Sequence, residues 1–395
     1  MKIAYLTSYL GKEFTENYCK GKKYALSGPL KSLGIARSMM AAGHEVTIFS
    51  PGIVNCNAII PSFTEVEEYP EGVLTIKYCR ILSKRRCDLI NQYRISRLLK
   101  NDNNKTHFDI LVYYNIVFSA ALCVGRMKNT KMVLEYEDNI FNKALIGDRN
   151  SFSFAKRILF THVIKHTDGI MAVCNGLMLD SVKYKVLTPG IINEDVINNV
   201  STRVNSLVKG KPVHIILTGG IHYSKGGDLL VKAMSHIQEP CIVSVYGNCD
   251  LNDNLKRLIS EIPKRHKFFF NGYLEHAGLI KTLTREADIL INTTRSMGVG
   301  PQSAGFPFKM MEYASTGRPI ISSEIGKLDD NYNRHITYYS SEQPAAIARA
   351  VEDVIAHYDE KVQLALELQK IVMQEYTIAG TGEKIHSLFN EIVQH

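Results

Sequence analysis

The chain has 395 residues, a formal net charge of +8, 45% hydrophobic and 22% charged residues. That length makes about two domains with cores of their own, and the balance excludes a disordered or fibrous protein. The modest positive charge suits anionic small molecules or an anionic membrane surface and does not require nucleic acid.

Taken in order, residues 2–8 form a short apolar strand, and no long apolar stretch marks a signal peptide at the N-terminus. The lysine-rich segment Gly11–Tyr24 is too long and polar for a simple strand-to-helix turn, so it reads as a functional or mobile insertion. Ser27-Gly28-Pro29 then opens a helix with Leu30, Leu33, Ile35, Ala36, Met39 and Met40 at helical spacing. Gly43 ends it, and Glu45–Ser50 is the next strand. In such a β-α-β unit the loop Ser27–Pro29 lies where a parallel sheet places its ligand.

The segment Ser83–Lys100 mixes six cations with Leu89, Ile90, Ile95, Leu98 and Leu99. It reads as a helix packed on the sheet with a solvated basic face, or as a surface for peripheral contact with an anionic membrane. Further strands are expected at Leu74–Tyr78, Asp109–Tyr114, Lys131–Tyr136, Gly169–Val173 and Lys185–Thr188, the last closed by Pro189-Gly190. The run Ile110–Val124 is interrupted by Asn115 and Ser119 and is too short to span a bilayer.

After a polar connection a second alternating series begins. Its strands are Val213–Thr218, Cys241–Tyr246, Lys267–Phe270, Ile289–Asn292 and Ile320–Ser322, with helices at Gly227–His236, Asn254–Ile262, Ala277–Glu286 and Phe308–Thr316. The last stretch, Val362–His395, holds two helical runs separated by Thr377–Gly382. Two α/β halves of similar size with mostly parallel sheets account for this order. The eight cysteines form no CxxC and no zinc spacing, so they read as reduced thiols of a cytoplasmic protein.

Three phrases of the second half carry chemistry. Gly219-Gly-Ile-His-Tyr-Ser-Lys-Gly-Gly227 joins a strand to a helix, and Lys225 offers a positive charge to a phosphate; as a lone feature it would read as a surface lysine in a turn. The second phrase runs from Phe270-Asn-Gly-Tyr-Leu through the helix to Ala287-Asp-Ile-Leu-Ile-Asn. In the third, Gly298–Ser323, a glycine loop feeds a helix that carries Lys309 and Glu312 and stops at Gly317.

In this order the phrases resemble the C-terminal half of family 4 glycosyltransferases, retaining enzymes with the GT-B fold. Gly28 with Ala36-Arg-Ser-Met-Met-Ala-Ala-Gly-His-Glu-Val is similar to the family's first β-α-β unit, and Pro189-Gly190 resembles its interdomain signature. The resemblance spans nearly the whole chain. It implies two Rossmann-like α/β domains facing across a central cleft. An acceptor-binding domain would cover residues 1–192 and a nucleotide-sugar-binding domain 193–376, with a helix in 377–395 returning to the first.

The resemblance also implies roles. Lys225 would meet the donor's phosphates and Glu312 its ribose. The backbone of Gly305, Phe306, Pro307, Phe308 and Lys309, with Gly219, Gly220 and Gly28, would surround the diphosphate and sugar. A sugar would pass from a nucleotide diphosphate sugar to a carbohydrate or lipid-linked acceptor hydroxyl with retained configuration, in bacterial surface polysaccharide or glycolipid synthesis. No metal or cofactor is expected, since no Asp-x-Asp signature is present.

Three positions depart from the family pattern. The usual arginine five residues before the lysine is Gly220, which leaves Arg295, Lys309 and Arg318 as replacement cations. The usual glutamate eight residues before Glu312 is Ala304. The usual His-Asp after a first-domain strand is Glu137-Asp138, where a carboxylate would bind sugar hydroxyls or assist proton transfer, or merely cap a helix. A sugar-nucleotide epimerase and a non-catalytic partner subunit are the rival readings.

Overall fold

A computed structural model describes residues 1–20, 27–52, 59–82, 88–115, 117–127, 129–137, 151–200, 206–219, 223–247, 253–296 and 305–394. The chain divides into two compact units, Met1–Ile191 with Ile378–His395, and Ile192–Thr377.

The first unit is built on an eight-stranded sheet in the order β10-β9-β8-β7-β1-β2-β5-β4. Its central strands β1 (Lys2–Leu6), β2 (Glu45–Ser50), β7 (Ile110–Tyr114) and β8 (Lys131–Tyr136) are runs of almost uniformly buried apolar residues, as expected when helices cover both faces of a parallel sheet. β9 (Gly169–Ala172) and β10 (Tyr184–Leu187) extend it in parallel. At the other edge β4 (Phe63–Tyr69) and β5 (Gly72–Tyr78) form an antiparallel hairpin, and β4 was not expected from the sequence. The short β3 (Ile59–Ile60) and β6 (Ile81–Leu82) pair separately.

β4 alternates with its acids inward. Glu65 and Glu67 are buried while Val66 is exposed. Their carboxylates accept the amides of Glu13 at 2.6 Å and Lys12 at 2.7 Å, and Glu67 also accepts the hydroxyl of Tyr9 at 2.8 Å. Phe14 is fully buried and stacks on Tyr78. The first part of the polar insertion is therefore anchored to the edge hairpin; the rest, 21–24, lies outside the described residues.

Ser27, Gly28 and Pro29 fall inside the helix Ser27–Ala41 instead of in a preceding loop. The helix Ile378–Gln394 packs on it. A Cβ at Gly382 would stand 2.4 Å from the Ser38 carbonyl oxygen, so only glycine permits this approach. That packing explains why Ile378–Gly382, expected as a break, is helical, and the interruption shrinks to Tyr376-Thr377.

In the helix Asp88–Thr106, Ile95 and Leu99 are buried beside Asn91, Gln92 and Ser96. Leu89, Ile90 and Tyr93 face solvent. Residues 83–87 lie outside the described residues.

The second unit has a six-stranded sheet in the order β13-β12-β11-β14-β15-β16, parallel throughout. β11 (Val213–Thr218), β12 (Cys241–Tyr246), β14 (Ile289–Asn292) and β15 (Ile320–Ser322) occupy the expected positions, β13 (Lys267–Gly272) runs two residues further, and β16 (Thr337–Tyr338) is additional. The core of Ile215, Leu217, Val243, Ile289 and Ile291 is closed by Leu230, Ile347 and Val351 from covering helices. The helix Pro344–Ala356, with proline in its first turn, was also not anticipated.

In both sheets the first strand of the unit has its next neighbours on opposite sides. The carboxyl ends of β1 and β7, and of β11 and β14, are thus topological switch points, where open α/β sheets bind ligands. At the ends of the second unit, Ile192 forms a parallel bridge with Thr377, and its amide donates to the Tyr376 carbonyl at 2.8 Å.

Candidate functional site

At the carboxyl end of β11 the chain turns through Gly219 and Tyr223–Lys225 into the helix Gly227–Ala233. Gly226 has φ +66°, and a Cβ there would stand 2.0 Å from the Thr293 carbonyl oxygen, so the turn lies directly against the end of β14. The Thr293 hydroxyl donates to the Lys225 carbonyl at 2.8 Å, and the Arg295 amide donates to that of Ser224 at 2.9 Å. Lys225 itself projects as an exposed side chain. Gly220 lies outside the described residues.

The helix Lys309–Ser315 meets the same strand end. The Tyr313 hydroxyl accepts the Thr218 amide at 2.8 Å, which fixes the helix on β11. Lys309 Nζ donates to the Thr218 carbonyl at 3.1 Å. Burial, and next the charge of Lys225, lower the Lys309 ammonium to about 7, with Glu312 opposing. Two cations and one carboxylate therefore converge at the switch point of the second unit.

The other candidate replacements for the missing arginine are engaged in holding the fold. Arg295 forms a two-pronged pair with Asp228 at 2.8 and 2.9 Å, and its guanidinium lies 3.9 Å from the Tyr223 ring centroid. Arg318 is buried and donates to the Thr284 carbonyl.

The helix begins at Lys309, so Pro307 and Phe308 precede it. The Met310 and Met311 amides donate to the Pro307 and Phe308 carbonyls at 2.9 and 3.0 Å. Gly305 and Phe306 are buried, and the Phe306 ring packs edge-on against Tyr332 at 5.8 Å. Phe306 thus anchors this segment to the core, and only its backbone is free to meet a ligand. Ala304 and the glycine loop before it lie outside the described residues.

Glu312 has a partner that sequence reasoning missed. Its Oε1 lies 3.0 Å from His276 Nε2, and His276 Nδ1 lies 3.4 Å from Asp195 Oδ2. His276 opens the helix His276–Glu286, and Asp195 lies in the first turn of Glu194–Asn199. Hydrogen bonding to Glu312 is the largest cause raising the His276 imidazole, and Asp195 adds to it.

In the first unit, Lys31 of the helix Ser27–Ala41 is buried at the carboxyl end of β8. Its Nζ lies 3.6 Å from Glu135 Oε1 and 3.7 Å from Glu137 Oε2, and among the described residues none of these three atoms makes a hydrogen bond. Glu135 accepts from the Tyr5 hydroxyl, and its carboxyl is raised chiefly by burial, with Lys31 opposing. The Glu137 amide donates to Asn115 Oδ1 at 3.0 Å, and Asn115 holds φ +51°, which asparagine tolerates.

Glu137 is thereby fixed and partly exposed, whereas Asp138 lies outside the described residues. Among the described residues, a Cβ added to Gly28 would meet no atom within 4 Å. A cavity of about 110 Å³ lies at the ends of β1 and β7, lined by Thr7, Ser8, Gln92, Tyr114 and Ser119 among others.

Among the described residues no His, Cys, Asp and Glu cluster is placed to hold a metal ion. No helix among them is long and apolar enough to cross a membrane.

Comparison with known proteins adds to this geometry. Residues 212–357 match the model of the family described as glycosyl transferases group 1. No curated protein sequence matches the chain. Among solved structures, sucrose-phosphate synthase from Thermosynechococcus elongatus has a TM-score of 0.68 at 14% identity, covering 100% of this chain and 99% of that one. A glycosyltransferase from Rickettsia africae has a TM-score of 0.65 at 16% identity, covering 100% and 99%. HepE from Anabaena, solved with UDP, has a TM-score of 0.62 at 10% identity, covering 99% and 100%. The chain has the GT-B fold, two Rossmann-like α/β units, and residues 212–357 of its second unit carry the match to glycosyl transferases group 1.

Proposed function

We propose that this protein is a nucleotide-sugar-dependent glycosyltransferase that moves a sugar to an acceptor hydroxyl with retention of configuration. The observation that carries the reading is the convergence of Lys225, Lys309 and Glu312 at the switch point of the second unit. The two lysines take the diphosphate, whose charge grows as it leaves, and its negative charge holds the proton on Lys309 so that both ammonium groups stabilise it. Glu312 accepts the ribose hydroxyls. The backbone at Gly219 and Gly305–Lys309 surrounds the diphosphate and sugar. Lys309 takes the part of the arginine absent at Gly220.

Glu137 and Asp138 supply the carboxylates that bind sugar hydroxyls or move a proton, and the cavity at the ends of β1 and β7 receives part of the acceptor. HepE bound to UDP supports a nucleotide diphosphate as the ligand. The reading continues to a cytoplasmic enzyme of bacterial surface polysaccharide or glycolipid synthesis that needs no metal. It rests peripherally on anionic membrane through 83–100, where Leu89, Ile90 and Tyr93 are exposed beside Arg94 and Arg97. Sedimentation with anionic vesicles tests that attachment.

Calorimetric titration with UDP, GDP and ADP tests the site. We expect one nucleotide to bind selectively and Glu312→Ala to abolish it. Failure of all three to bind the wild type would overturn the reading.

A further inference from the structure

The imidazole of His276 has a carboxylate at each nitrogen, Glu312 at 3.0 Å and Asp195 at 3.4 Å. A neutral imidazole has one N–H, so only the imidazolium donates to both. Among the described residues these are the charged groups that face it, Asp195 from the helix packed against its own and Glu312 from Lys309–Ser315, with Lys309 next beyond Glu312. The raised imidazole agrees with this geometry.

Glu312 sits on a seven-residue helix with only 12% of its side chain exposed. Its carboxylate therefore has few routes to water, and its orientation depends on the neighbours that hold it. One oxygen is occupied by His276, which leaves Oε2 and the second lone pair of Oε1 to accept hydroxyl donors. Asp195, 58% exposed, lies behind the imidazole on the side away from Glu312. The chain Asp195–His276–Glu312 thus runs from the surface inward to the site.

We infer that His276, backed by Asp195, is a positioning residue for the nucleotide site, fixing the Glu312 carboxylate in the orientation that receives the ribose diol. The inference rests on the nucleotide-site reading above. It makes the ribose part of the ligand depend on His276, while the diphosphate part depends on Lys225 and Lys309. Loss of His276 therefore separates the two parts of the ligand, which a general loss of folding would not do.

The test compares the tightest-binding of UDP, GDP and ADP with inorganic pyrophosphate, which has no ribose, by calorimetry on the full chain. His276→Ala should weaken the nucleotide about tenfold and leave pyrophosphate unchanged. His276→Gln, which keeps one donor, should recover most of that loss, and thermal melts of both variants should match the wild type. In a proton NMR titration the imidazole should titrate above the ordinary 6.5, and its midpoint should fall in both Glu312→Gln and Asp195→Asn.

Loss of nucleotide binding in Glu312→Ala with none in His276→Ala overturns this inference alone. Equal losses for nucleotide and pyrophosphate in His276→Ala also overturn it. Undiminished nucleotide binding in Glu312→Ala, or no binding by the wild type, overturns the nucleotide-site reading and the inference with it.

Discussion

Lys309 lies within electrostatic reach of Lys225 at the end of β11, and that repulsion acts with burial to hold its ammonium near 7. A bound diphosphate would restore the proton by placing negative charge between the two cations. Titration of a nucleoside diphosphate at pH 8, in buffers of different ionisation enthalpy, should therefore report proton uptake. The uptake should vanish near pH 5.5, where Lys309 is already charged, and in Lys309→Met at either pH.

The same lysine should oppose function to stability. Its folded value, about 7, lies below the ordinary 10.5, so between those limits the unfolded chain binds more protons and wild-type stability rises with pH. Lys309→Met should remove that slope. At pH 7 it should stabilise the second unit by on the order of 2 kcal/mol, a figure discounted for the residue's partial exposure. Nucleotide binding should weaken at least tenfold in the same variant. Calorimetric melts and titrations on one preparation check both.

The anchoring of the insertion by β4 predicts a local effect. Glu67→Ala strands the Lys12 amide and leaves the Tyr9 and Tyr69 hydroxyls only each other at 3.4 Å, and loss of such buried acceptors costs roughly 1–3 kcal/mol. Limited proteolysis should then cut within 11–20 well before the rest of the chain. Unchanged cleavage would show that Glu65 and Phe14 hold the segment without Glu67.

Acid should loosen the last helix. His386 Nδ1 lies 3.1 Å from His44 Nε2, and burial, followed by the N-terminal amine and His386, lowers His44 to about 4. A histidine depressed in the folded state gives up stability as pH falls from its unfolded value near 6.5 towards 4, because the unfolded chain takes the proton first. The loss should approach about 3 kcal/mol. His44→Gln should flatten it, as read by denaturant unfolding at pH 7, 5.5 and 4.5.

The parallel strands were legible because each is a continuous apolar run, and Lys225 and Glu312 because a loop-to-helix order surrounds them. β4 was not, since its inward positions are glutamates whose partners lie more than fifty residues earlier. Lys31 looked like any helical lysine until the fold set it between Glu135 and Glu137. His276 carried no signal, because Glu312 and Asp195 reach it only through tertiary packing. Likewise Arg295 and Arg318 could be told from Lys309 only by the fold, which sets the arginines on Asp228 and the Thr284 carbonyl and Lys309 at the Thr218 carbonyl, at the carboxyl end of β11.

The bridge between Ile192 and Thr377 closes the neck of the second unit, so that unit is an insertion within the first. A ribosome reading from the N-terminus releases the whole insertion before it releases the helix Ile378–Gln394. The second unit is contiguous and can finish folding while its host still lacks that helix. The groove along Ser27–Ala41, with the Ser38 carbonyl open to the approach of Gly382, is then filled only after the whole second unit has been made.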